Sequence, residues 1–154
     1  MKNEYFWLIQ SLCYWSVAFF LIPWRTMVKL APFSFVGGFV YTIFVQILAV
    51  IVFKKWNFSP DILTIAGIPF FFVWCWFGVI MCYGYLLLRY PRYQALMVLG
   101  FACMGTLLNF LGGRYRMLAM HGWSLLDTFM FAVFSHILIL FLFKWIFPPE
   151  NLRA

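Results

Sequence analysis

Five stretches of this chain run long and apolar enough to cross a bilayer, and that feature removes most folds from consideration. A crossing helix needs about 20 apolar residues. The composition agrees, at 66% hydrophobic and 10% charged, where a soluble domain is roughly half apolar and about a quarter charged. The surplus has to face lipid. The sequence predicts an all-α, polytopic integral membrane protein: one domain over residues 1–154, a bundle of five transmembrane helices joined by short loops. The spans are expected at 5–23, 32–53, 69–88, 94–111 and 125–147.

Local signals set those bounds. Lys2 before the first run suits a signal peptide, but Gln10, Ser11 and Tyr14 interrupt its core and no small-residue cleavage site follows, so it is read as a retained span. Arg25 and Lys29 mark an interface, Pro32 opens span two, and Lys54, Lys55 and Trp56 close it at the headgroups. Ser59-Pro60-Asp61 reads as a helix start, with Ser as N-cap and Pro at the first position. Gly67 and Pro69 then separate a short interfacial turn from span three. Arg89 to Tyr93 is a tight basic and aromatic turn, and Gly112 to Gly122 is the longest polar connection. Ser124 and Asp127 form a capping box before span five, which Pro148 and Pro149 end.

The net charge of +7 comes from eleven Lys and Arg scattered in ones and twos between apolar runs. A nucleic-acid binder concentrates its cations on one face or tail, so nucleic acid is set aside and headgroup anchoring is preferred. Orientation is poorly marked. Lys2, Lys54, Lys55, Arg114 and Arg116 fall on one side; Arg25, Lys29, Arg89, Arg92, Lys144 and Arg153 fall on the other. That split gives no usable positive-inside bias, and the orientation adopted is N-terminus out, C-terminus in. Cys13, Cys75, Cys82 and Cys103 all lie within apolar runs without metal-binding spacing and read as packing residues.

Small and polar residues recur along three spans. Gly38, Thr42 and Gln46 follow each other every four residues on span two; Cys75, Gly78, Cys82 and Tyr85 trace a seam on span three. Span four carries Ala95, Gly100, Ala102, Cys103 and Gly105, of which Ala95, Ala102 and Gly105 share a face with Asn109. Such stripes let helices approach closely, either inside the bundle or between chains.

His136 is the sharpest chemical candidate, about twelve residues into span five. Ionisable groups at that depth are functional hypotheses by default. It shares a face with Thr128 and Ala132, with Ser135 beside it. Its imidazole either serves a ligand or is satisfied by Gln46, Gln10 or Asn109. Arg114, Tyr115 and Arg116 could hold an anionic headgroup or form the mouth of a site. Trp74 and Trp76 sit mid-span, where they either pack or flank a ring-shaped ligand. A bis-histidine haem would need a second histidine at like depth, and His121 lies in a loop.

No carboxylate pair, metal triad, nucleophile–base pattern or glycine-rich phosphate loop is present, and four acidic residues are too few for a magnesium-dependent transferase. The chain is therefore expected to be non-enzymatic, with no metal and no cofactor.

The Leu21-Ile22-Pro23 exit followed by basic residues, the Arg89–Tyr93 turn, and the spacing of Tyr115, Leu118 and Trp123 together resemble a family of small five-helix membrane proteins of spore-forming Gram-positive bacteria. That resemblance implies the same architecture and a bacterial inner-membrane location. It implies no activity, and Asn109, Gly112 and Gly113 stand where that family carries acids.

The leading expectation is an accessory subunit or homo-oligomeric component of a membrane complex, its partners the lipid bilayer and other membrane helices. The second is a small transporter or ligand-binding protein with a polar site around His136, Asn109 and Gln46. A quinone or haem protein is the third.

Overall fold

The computed structural model describes residues 5–148. Its frame is five helices: α1 (Phe6–Leu21), α2 (Trp24–Val52), α3 (Phe70–Arg89), α4 (Gln94–Arg114) and α5 (Leu125–Ile146). Four of them, α2 to α5, are long and apolar enough to cross a membrane. The first, of 16 residues, rises about 24 Å at 1.5 Å per residue, short of a hydrocarbon core of about 30 Å.

The bundle is built around α3. Of its apolar segment 61% is buried, against 22% for α2 and α5 and 28% for α4. Helix α1 and the first half of α2 pack on α3, and α4 pairs with α5. Glycines set the closest approaches. A Cβ added at Gly38 would lie 2.7 Å from both the Phe77 Cα and the Trp76 carbonyl oxygen. One at Gly84 would meet the Phe33 ring at 2.7 Å, and one at Gly78 would touch the Trp15 indole at 3.4 Å. Trp15 is pinned there by donating from Nε1 to the Trp74 carbonyl at 3.1 Å. Trp74 stacks on Trp15 and so belongs to packing.

Helix α2 begins eight residues before the expected span, because Pro23 supplies its N-terminal boundary and Pro32 lies inside it. Met27, Leu30 and Phe33 bury one face of that first section while Arg25 and Lys29 stay exposed. Two sections, Phe35–Val40 and Ile47–Val52, widen to π geometry. The first holds Gly37 and Gly38 at the α3 contact; the second starts directly after Gln46.

Ser59-Pro60-Asp61 starts no helix. Residues 56–58 form strand β1 (Trp56–Phe58), paired antiparallel with β4 (Leu118–Met120), Trp56 opposite Met120 and Phe58 opposite Leu118. The pairing pulls Ser59 into extended chain, so its hydroxyl donates to the Arg116 carbonyl at 2.6 Å instead of capping a helix. Between the two, β2 (Thr64–Ile65) and β3 (Ile68–Pro69) make a hairpin turned by Ala66 and Gly67, both at positive φ. Such a turn matches the twist of the strands it joins. The β1–β4 ribbon closes one end of the bundle, its Trp56, Phe58 and Leu118 buried in a second core with Trp7 and Phe72. The Ser124–Asp127 capping box opens α5, with Asp127 N–H donating to Ser124 Oγ at 3.1 Å and Ser124 N–H to the Asp127 carboxylate at 2.8 Å.

Not every small residue lies in a seam. Ala102, Gly105 and Asn109 are buried on α4, but Ala95 and Gly100 are exposed, and a Cβ at Gly100 would meet nothing within 4 Å. Gly100 lies off the face that Ala102, Gly105 and Asn109 present to the bundle, whereas Ala95 shares that face but sits in the first turn of α4, where it is left exposed.

Two outcomes follow from this packing. Gly38→Ala forces backbone apart at the α2–α3 contact and lowers stability by about 1–3 kcal/mol, whereas Gly100→Ala is neutral or slightly stabilising through helix propensity; thermal unfolding in detergent separates the two. The Asp61 carboxylate oxygens are shielded from water, and this burial pushes its pKa up, outweighing the lowering contribution of the neighbouring Ile62 N–H. A raised carboxyl pKa means stability that is complete below the ordinary aspartate range, near about 4, and declines as pH rises through the folded value. Asp61→Asn should therefore raise the melting temperature at neutral pH and leave it unchanged at acid pH.

Candidate functional site

Helices α2, α3, α4 and α5 enclose a pocket of about 70 Å³ on the side of the bundle nearer the β1–β4 ribbon. Three residues singled out from sequence, Gln46, Asn109 and His136, come together in its wall, each from a different helix. Thr42 and Gly105 join them, as do Thr128, Ala132 and Ser135 from the His136 face. The i+4 spacing of polar residues on α2 and on α5 is what turns both stripes inward. Trp76 also lines the pocket, its ring passing over Gly105, where an added Cβ would sit 3.1 Å from Cη2.

The polar atoms here are unevenly satisfied. His136 is 2% exposed, and its Nδ1 lies 2.8 Å from the Ala132 carbonyl oxygen, one turn back on the same helix. A carbonyl accepts only, so Nδ1 carries the proton and Nε2 is left as an acceptor. That Nε2 is buried with no partner among the described residues. The expected satisfaction of His136 by Gln46, Gln10 or Asn109 does not occur. Gln46 is 3% exposed and its Oε1 is likewise unpartnered. Trp56, brought in by β1, lines the same pocket with an unpartnered Nε1 donor.

Their neighbours, in contrast, are already engaged. Tyr41 donates to Ser135 Oγ at 2.9 Å, and Trp123 Nε1 donates to Thr128 Oγ1 at 3.0 Å. Tyr83 donates to the backbone carbonyl of His136 at 3.2 Å, and the imidazole is packed among Tyr83, Trp76 and Phe101. The ring is thus held in orientation by backbone and aromatic contacts while one nitrogen stays free. Leaving three buried polar atoms unpaired costs about 1–3 kcal/mol each, a cost that a ligand with matching groups offsets.

A second, larger cavity of about 470 Å³ lies between the later half of α2 and α5 and shares Tyr41, Val45, Trp56 and Phe131 with the pocket. Its other walls are apolar apart from Lys55. The two cavities adjoin along these four shared residues, on the side between α2 and α5. Arg114, Tyr115 and Arg116 are exposed at the ribbon end and line neither of these two cavities. Arg116 instead adopts positive φ in the turn after α4. Gln10, on α1, is half-buried with its own unpartnered Oε1 but stands outside the pocket. His121 is exposed in the turn after β4, at a different level from His136.

Sequence alone did not point to Trp56. Its neighbours Lys54 and Lys55 suggested a headgroup anchor, and only its pairing with β4 folds the indole inward.

Removing an unsatisfied buried polar group does not weaken a fold. Gln46→Leu is expected to leave the melting temperature of the ligand-free protein unchanged or raised, measured in detergent beside the wild type; a drop of several degrees would mean that Gln46 is a structural hydrogen-bonding residue. No protein-family model, no curated protein and no solved structure matches the chain, so what the pocket binds has to be argued from its own atoms.

Proposed function

We propose that this is a non-enzymatic membrane protein that binds a lipid-soluble small molecule in the pocket between α2, α3, α4 and α5. The carrying observation is the convergence on one cavity of three buried, unpartnered polar atoms from separate elements: His136 Nε2, Gln46 Oε1 and Trp56 Nε1. Inward-facing polar groups without partners, in a cavity with apolar walls, are the pattern of a ligand site.

In this reading all five helices cross the bilayer, α1 reaching the interface with the residues that flank it. The location is a bacterial cytoplasmic membrane, as the family resemblance implies. With the N-terminus outside, the ribbon and the pocket lie towards the outer leaflet, and the cavity between α2 and α5 opens to lipid.

Assembly into a larger complex, the leading expectation from sequence, was motivated by small-residue seams, most of which pack within the chain. Gly38, Thr42, Gly78, Cys82 and Gly105 are all buried within the chain, while Ala95, Gly100 and Cys103 on α4 face outward.

The test is direct. Protein purified from native membranes in mild detergent should carry an organic-extractable small molecule at near one-to-one ratio, identified by mass spectrometry. His136→Leu should reduce it at least tenfold while the protein still expresses and folds. A wild type that carries nothing beyond bulk phospholipid would count against the reading.

A further inference from the structure

The pocket's free atoms specify more than the presence of a ligand; they constrain its head. We infer that the ligand is an uncharged amphiphile whose head is a hydroxyl-bearing ring, of the phenol or hydroquinone class, with an apolar tail lying in the cavity between α2 and α5. This rests on the binding reading above.

Charge is the first constraint. Among the described residues no Asp, Glu, Lys or Arg lines the inner pocket, so a carboxylate or phosphate head would arrive without a countercharge, which burial makes prohibitive. Such a head would stop at Lys55 in the outer cavity.

Hydrogen-bonding polarity is the second. His136 Nε2 accepts only, because Nδ1–H is committed to the Ala132 carbonyl. Trp56 Nε1–H donates only. The Gln46 amide can present either end by rotation. An uncharged head that serves both needs an O–H or N–H donor for the imidazole and an acceptor for the indole, and a hydroxyl group supplies both roles from a single atom type. A ketone or the oxidised, quinone form of such a ring has acceptors alone and leaves His136 Nε2 facing another lone pair.

Shape is the third. The inner pocket, at about 70 Å³, is small and bounded by Trp76, Phe72, Trp56 and Phe131, flat side chains that suit a flat head. Trp56 and Phe131 also line the outer cavity, so a tail leaving the head passes between α2 and α5 without crossing polar surface.

The experiment uses the purified full chain in detergent with a series of defined probes: 4-nonylphenol, its methyl ether, nonylbenzene and 4-nonylbenzoate. Binding is read from quenching of tryptophan fluorescence, since Trp56 and Trp76 line the site, and from the shift in melting temperature. The phenol is expected to bind at least tenfold more tightly than the ether or nonylbenzene, with the benzoate weakest. His136→Leu should bring the phenol down to the ether's affinity and leave the ether unchanged, which a general loss of packing would not do.

Phenol and ether binding equally, or the benzoate binding best, would overturn the hydroxyl assignment while leaving a ligand pocket in place. No probe binding at all, together with no small molecule carried from native membranes, would mean that the pocket holds water only, and the binding reading itself would fall with the inference.

Discussion

The close approach of α2 to α3 at Gly38 is the contact on which the rest of the bundle depends. With 2.7 Å between the place of a Cβ and the Phe77 backbone, the two helices touch main chain to main chain. Helices that cross a membrane gain little hydrophobic energy by coming together, and for a chain with four helices long and apolar enough to do so contact density at small residues is the available source of attraction. Gly84 lets Phe33 in from the same helix, and Gly78 receives Trp15 from α1. With α3 wrapped on these sides, α4 and α5 complete the bundle as a pair. The pocket is what remains where α2, fixed to α3 by its first half, diverges from α5 along its second.

The widened turns of α2 belong to this account. A π turn adds a residue to the circuit and shifts everything after it around the helix axis, and such turns occur often at functional sites. The section at Phe35–Val40 brings Gly37 and Gly38 to their contacts. Past it, Thr42 and Gln46 face the cavity from the same helix, while Phe44 and Leu48 face the outer one. A single helix thus carries the packing seam, the polar wall and the apolar wall in succession.

Much of the helical frame was legible because its signals are local. Apolar runs, the Ser124–Asp127 box and the basic turns are read within a few residues of where they act, and the polar spacing on α2 and α5 identified Gln46 and His136 as neighbours in prospect. What was not legible depended on partners distant in sequence. Pro32 looked like a beginning because proline commonly opens helices, yet the buried face of Met27, Leu30 and Phe33 carries the helix through it. Ser59-Pro60-Asp61 has the composition of a helix start, and only pairing with residues some sixty positions later, Ser59 to Arg116, makes it extended. Gly100 and Ala95 show the opposite failure: composition marked Gly100 although its register lies off the seam, and Ala95 has the right register but falls in the first turn of α4, where it is exposed.

The same distant pairing decides the chemistry of the site. Gln46 and His136 alone would make a pocket with a fixed acceptor and an adjustable amide, open to any donor. Trp56 adds a fixed donor, and it does so from a three-residue strand that has no stability of its own and exists because Leu118–Met120 lies beside it. The ribbon therefore closes the end of the bundle and sets the polarity of the cavity in one step. A change that unpairs β1 from β4 without touching the helices would leave the polar walls in place and remove the donor that distinguishes a hydroxyl from a head that only donates.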